Sequence, residues 1–402
     1  MATLALPIPG EPAGEIPPLP PILGTYARAP MVFVRGEGVE LIDAEGRRYL
    51  DLTSGIAVNA LGYGDPGFRT AVTDALDTGL VHVSNLYRTT PGEDLAEMLV
   101  ERSFAASVFF CNSGAEANEG AFKFARRLAR SVAGPEKHGI VALRGSFHGR
   151  LFATLAATDR PQYRTPFTPV ASGVSISERD IDTLAAVLVP ETTAGLILEP
   201  VQGEGGVRVL DPGFLRELRA LTIERGIALI LDEIQCGLGR TGRLFAYEHA
   251  GVAPDIMTRA KPLAGGLPMG AILVSEGVAR AIRPGDHATT FGGGPLVSAA
   301  ARYVLGRVSD PALLDAVEQN GQWFGGRLRE IARTSGRTRG VRGIGYMWGI
   351  DVVEPAAAIV RRGWECGLLV LTAGEHTLRL LPPLIMTRDQ LERGLELLET
   401  IL

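Results

Sequence analysis

Lysine is almost missing from this sequence. Of 40 basic residues in a chain of 402, only Lys123, Lys137 and Lys261 are lysines, and arginine takes the rest. Cysteine is equally scarce. Cys111, Cys236 and Cys366 are odd in number and far apart, which excludes a disulfide framework and points to a reducing, cytoplasmic setting. No basic arm or patch stands out and the net charge is −5, so nucleic acid and anionic membranes are poor partners. There is no long apolar run. Mean hydropathy is +0.15, spread over alanine, leucine and glycine along the chain. The N-terminus lacks a basic segment, and Pro7, Pro9, Pro12 and the stretch 17–21 break it up. It reads as an extended arm, not a signal peptide or a membrane span.

What is present is enough chain for two packed domains. Residues 32–52 alternate like strands joined by a Gly-containing turn. From about residue 66, short apolar runs alternate with helical patterns. The runs are Val108–Phe110, Ile140–Leu143, Gly195–Leu198, Ile227–Leu231, Asp255–Met257 and Ala271–Val274. The helical patterns include Glu116–Arg130, Asp180–Leu188 and Pro212–Glu224. This implies an α/β fold with a mostly parallel central sheet covered on both faces. After about residue 296 the pattern is chiefly helical, interrupted by a strand-like stretch at Gly345–Val352. The expected division is 1–60 as arm and part of a small α+β domain, 61–295 as the large domain, and 296–402 as the rest of the small one.

Ligands of open parallel sheets bind beyond the carboxyl ends of the strands, so the residues after each run are the candidates. After Phe110 come Ser113, Gly114 and Ala115 at a helix start, where free N–H groups suit a phosphate. An ordinary capping box of Ser113 with Glu116 explains the same residues. After Leu143 come Phe147, His148 and Arg150: an aromatic face for a planar ring and a guanidinium for a carboxylate. After Leu198, Glu199 and Glu204 flank a Gly-rich loop, with nothing to set up a metal site. Asp232 ends the run ALILD and is partly buried, so it needs a cation or a helix to cap. Lys261 is the one lysine that follows a strand. In an apolar site its amine becomes a nucleophile or a carbonyl-binding group. Thr289 and Thr290 precede three glycines, and Arg379 opens the segment LRLLPP.

The segments SGAEANE, SFHGR, EPVQGEGG, LILDEIQCGLGRTG, the lysine with its following GG-x-P-x-G, TTFGGGP and LRLLPP together resemble class III aminotransferases of fold type I, most closely in pattern the acetylornithine and ornithine aminotransferases. The resemblance runs from about residue 22 to the end. It implies pyridoxal 5′-phosphate (PLP) as cofactor. Ser113, Gly114 and Ala115 would cradle its phosphate, and Phe147 would stack on its ring. Asp232 would pair with the ring nitrogen. Glu233, Ile234 and Gln235 would border the ring, Gln235 near its phenolic oxygen. Lys261 would hold the cofactor covalently, and Thr290 would reach the phosphate of a neighbouring subunit in a homodimer with shared sites. Arg150 and Thr289 match substrate-binding positions. Arg379 would bind the carboxylate of 2-oxoglutarate, with Glu204 capping it while the amino donor is bound. The donor suggested is N2-acetylornithine, in amino-acid and specifically arginine biosynthesis; ornithine, succinylornithine and 4-aminobutyrate are alternatives. Two positions depart from the family pattern: Pro262 replaces a glycine, and Gly294 an asparagine.

Two rival readings are testable. Gly62, Gly64 and Gly67 match the G-x-G-x-x-G of dinucleotide sites, which requires a clear preceding strand and an acidic end to the next one. The sequence offers neither clearly, which counts against an NAD-dependent dehydrogenase. An aminomutase of the same fold would not need a second arginine for a dicarboxylate, so the pair Glu204 and Arg379 favours a transaminase.

Overall fold

The computed structural model describes residues 21–402. Apart from Pro21, the proline-rich arm lies outside the described residues. The chain enters an antiparallel meander of β1 (Phe33–Glu37), β2 (Glu40–Asp43) and β3 (Arg48–Asp51). One strand more than a single turn allows arises because Gly46, at φ +82°, makes a second reversal after Gly38 at +59°.

The central sheet follows, from β4 (Ser107–Cys111), β5 (Gly139–Leu143), β6 (Val174–Ser177) and β7 (Thr193–Leu198). A short hairpin of β8 (Val201–Gln202) and β9 (Arg208–Val209) projects after β7. The sheet is completed by β10 (Ala228–Asp232), β11 (Ile256–Arg259) and β12 (Gly270–Val274). Its order is β4-β12-β11-β10-β7-β5-β6, with β12 the one reversed strand. Every residue of β7, β10, β11 and β12 is buried, as near-continuous apolar strands covered on both faces must be. The helix Gly114–Ala133 covers one face, its alanines packing on Ile140, Ile197 and Ile272. The helix Pro212–Glu224 covers the other through Leu215 and Leu218.

The C-terminal part is less helical than its sequence suggests. The hairpin β13 (Thr338–Ile344) and β14 (Met347–Val352) turns at Gly345, whose φ is +54°. The strand β15 (Leu368–Leu369) follows the helix Ala356–Cys366. β16 (Leu371–Thr372) and β17 (Thr377–Leu380) then complete a four-stranded antiparallel sheet, β13-β14-β17-β16. β15 instead pairs in parallel with β3, so both chain ends build one sheet. The helix Pro295–Val308 packs on the helices Pro66–Asp77 and Thr90–Glu101, which keeps the chain beyond residue 295 against the larger body for another four turns. Among the described residues no helix is long and apolar enough to cross a membrane.

Candidate active site

The candidate residues collect at the carboxyl edge of the central sheet, around a cavity of about 400 Å³. Ser113 follows β4, Phe147 and Arg150 follow β5, Glu199 follows β7, Asp232 ends β10 and Lys261 follows β11. Ser113 caps the helix Gly114–Ala133 by accepting from the Glu116 amide at 3.2 Å. The capping box does not close: the Glu116 carboxylate reaches past Ser113 to the amide of Asn112 at 2.8 Å. The first helical bond runs from Ala117 to Ser113, so the amides of Gly114 and Ala115 precede it at the cavity wall, at the positive end of a five-turn helix that suits an anion. Close approach is built in. A Cβ on Gly114 would lie 2.8 Å from Ile234 Cδ1.

Asp232 is buried and no helix follows it, so it caps none. Its Oδ2 accepts from Asn118 Nδ2 at 2.7 Å and is 2.8 Å from His148 Nδ1, while Oδ1 accepts from the Ile234 amide at 3.1 Å. Its neighbours at 233 and 235 diverge. Glu233, expected among the cofactor contacts, turns away from the cavity. Its carboxylate pairs with buried Arg259 at 3.0 Å and accepts the amides of Ala246 and Tyr247, each at 2.7 Å. Ile234 and Gln235 line the cavity.

Lys261 opens a one-turn 3-10 helix, Lys261–Ala264. Burial first, and then the charge of Arg379, lower its amine to a pKa of about 8, with Glu204, Asp232 and Glu199 opposing them. The structure accounts for Pro262. It occupies the first turn of that helix, where an N–H has no helical partner, and its carbonyl still accepts from Gly265 at 3.1 Å.

Glu199 and Glu204 are not a pair. Glu199 is buried and accepts the amides of Phe147 at 2.9 Å and Gly203 at 3.1 Å. Burial, opposed by His148 and helped by Asp232, raises its carboxyl to about 7. Glu204, in the turn between β8 and β9, forms an ion pair with Arg379 at 2.7 Å. Arg379 is 2% exposed and also donates to Gln235 Oε1 at 3.2 Å. Arg150 lies at the exposed side. Its guanidinium sits 3.5 Å from the ring centre of Tyr163 and 5.7 Å from that of Phe147. Thr289 and Thr290 are not brought to Lys261 within one chain. They line a separate hollow with His82 and Asn85, tied back by Asn112 Nδ2 to Thr289 Oγ1 at 3.2 Å. Gly62 and Gly64 precede the helix Pro66–Asp77 and Gly67 lies in its first turn, but a short helix, Ser54–Ala57, and no strand leads into them, which removes the dinucleotide reading.

Sequence reasoning missed Tyr163, Asn118 and Thr258. Asn118 lies inside SGAEANE, five residues after the helix cap, where a buried amide facing a strand-end carboxylate was a readable signal. Tyr163 and Thr258 carry no local signal, because only the fold brings them to Arg150 and Asn118.

A planar, phosphorylated ring with a cationic nitrogen fits these residues: paired amides at a helix start, an aromatic face, a fixed carboxylate and a lysine of lowered pKa. The pattern of the Aminotransferase class-III family matches residues 24–402. An acetylornithine aminotransferase of Gloeobacter violaceus is 47% identical over 383 residues, covering 94% of this chain and 95% of the relative. The crystal structure of N-acetylornithine aminotransferase from Stenotrophomonas maltophilia is 36% identical with a TM-score of 0.82, covering 94% of this chain and 96% of that one. An ornithine aminotransferase of Toxoplasma gondii, described with PLP in its active site, has a TM-score of 0.90 at 29% identity, covering 94% and 91%. The chain belongs to the class III aminotransferases of fold type I and is a PLP-dependent transaminase.

Proposed function

We propose that this chain transfers the terminal amino group of N2-acetylornithine to 2-oxoglutarate, as a homodimer. The observation that carries the reading is the contrast between the two arginines. Arg379 is buried and capped by Glu204 at 2.7 Å. Arg150 has no carboxylate partner among the described residues and is held only by aromatic rings. A capped arginine suits an acceptor that must displace the cap with its own carboxylate; an open one suits a donor whose carboxylate is remote from the reacting amine. The relatives' names favour the acetylated donor among those the sequence left open.

PLP supplies an electron sink at its protonated ring when bound. The chain's own groups do the rest. Gly114 and Ala115 would present amides to the phosphate, Phe147 would cover a ring face and Asp232 would hold the charge of the ring nitrogen. Lys261 would be the residue that holds the cofactor covalently. When free, its Nζ would move the proton from the donor's amine-bearing carbon, as a buried amine whose pKa is already lowered can do. Glu204 keeps Arg379 neutralised while the donor occupies the cavity and releases it to 2-oxoglutarate. Thr289 and Thr290 serve the neighbouring subunit's site.

The test is a donor screen with 2-oxoglutarate as acceptor, comparing N2-acetylornithine, ornithine, succinylornithine and 4-aminobutyrate. The acetylated donor is expected to give the highest kcat/KM. Turnover of 4-aminobutyrate without turnover of acetylornithine rejects the reading.

A further inference from the structure

Asp232 does not hold its orientation alone. It pairs in register with Thr258 across β10 and β11, and between them, on the helix above, stands Asn118. All three are buried, with Asn118 and Thr258 at 0% exposure. Thr258 Oγ1 lies 2.7 Å from Asn118 Oδ1. On the other side Asn118 Nδ2 meets Asp232 Oδ2 at 2.7 Å and the His148 carbonyl at 2.8 Å. An amide can be placed either way round, and here its partners decide. Both neighbours of Nδ2 are acceptors, so a flipped Asn118 would set its own oxygen against two others. Only the Thr258 hydroxyl can donate to the amide oxygen and keep it on the far side. Every hydrogen-bonding atom of the Asn118 side chain is then used.

We propose that Thr258, acting through Asn118, is a positioning residue: its hydroxyl fixes the amide so that Asp232 stays an acceptor held toward the cofactor's ring nitrogen. This rests on the reading that Asp232 faces that nitrogen. Thr258→Val keeps the shape and removes the donor. The Asn118 oxygen is then buried without a partner, and turning the amide to relieve it aims an acceptor at Asp232.

The test is the loaded protein carrying PLP labelled with 15N in its ring. The nitrogen's chemical shift reads its protonation directly, and equilibrium dialysis reads cofactor affinity. In Thr258→Val the signal should move toward the unprotonated position and affinity should fall at least about tenfold; Thr258→Ser, which restores the hydroxyl, should recover both. Asp232→Asn is the check on the underlying reading. If Asp232→Asn shifts the signal while Thr258→Val keeps the parent's signal and affinity, the positioning role is wrong and the Asp232 reading stands. If neither shifts it, both are wrong. Should Thr258→Val not fold, Asn118→Asp decides. Thr258 still occupies one of its oxygens, so only a protonated acid can donate to Asp232. Relative to the parent at each pH, which cancels titration of His148, Glu199 and Lys261 around the same cavity, its PLP affinity should match at pH 5.5 and fall about tenfold by pH 8.5. A ratio that does not change with pH overturns the proposal.

Discussion

Lys261 and Glu199 sit on the same cavity with their pKa values moved toward neutrality from opposite sides, one to about 8 and the other to about 7. Burial disfavours the charged form of each. For Lys261 the consequence is chemical. Lys261→Ala is expected to lose turnover by roughly a thousandfold or more and to hold PLP so that borohydride no longer fixes it to the chain; a fixed cofactor in that variant would falsify the assignment. For Glu199 the consequence is stability. An acid raised from 4.5 to about 7 binds its proton more tightly folded than unfolded. The stability it contributes is therefore present below about pH 4.5 and lost as pH rises through 7. In the cofactor-free chain, Glu199→Gln should match the parent near pH 4 and exceed it at pH 8, by on the order of 3 kcal/mol at most. Thermal melts across that range check it, and a constant difference rules out burial as the cause. Both residues were legible as strand-end candidates. That Glu199 is buried away from Glu204 was not legible, because their five-residue spacing crosses a turn whose direction no periodicity records. The same holds for Glu233: a polar residue beside a site looks like part of it until its own partner, Arg259, comes in from β11.

Elements were readable where one period dominates. The helix Pro212–Glu224 has the predicted ends, set by Asp211 as cap, whose carboxylate accepts the Phe214 amide at 3.0 Å, and by Pro212. The buried strands were found within one or two residues, because apolar runs of that length fit only a covered sheet. β13 escaped, since TRGVRGI carries two arginines and two glycines on a partly exposed edge. So did β15 to β17, each too short to set a pattern. The loss of asparagine at 294 acquires a meaning at this scale. Gly294 is the N-cap of the helix Pro295–Val308, at φ −56°, with no side-chain cap. A Cβ there meets the Phe291 carbonyl no closer than 3.4 Å. Gly294→Asn should therefore supply the missing acceptor and restrict the unfolded chain, gaining about 0.5–1 kcal/mol. Urea unfolding measures this, and a loss of stability would show that the loop rejects the side chain.

The whole molecule leaves apolar surface uncovered. Leu86, Tyr87 and Phe291 are 88, 69 and 65% exposed, beside the hollow that holds Thr289 and Thr290. Such a patch suits a subunit interface, which the proposed homodimer with shared sites requires. Leu86→Glu with Phe291→Glu should yield a monomer by light scattering, with weakened PLP binding and little activity. A fully active monomer excludes shared sites. β15, in the C-terminal third, completes a sheet begun before residue 52, a pairing that no sequence period records. The ion pair of Glu204 and Arg379 belongs to this scale too, for it joins the hairpin after β7 to β17 of the other sheet. Arg379 depresses the Lys261 amine and Glu204 restores it. Any event that draws the two apart leaves the lysine facing a bare cation and sheds its proton more readily. The contact between the two sheets and the acidity of the reacting amine thus share one ion pair, and a carboxylate that takes the place of Glu204 at Arg379 restores the balance of charge beside Lys261.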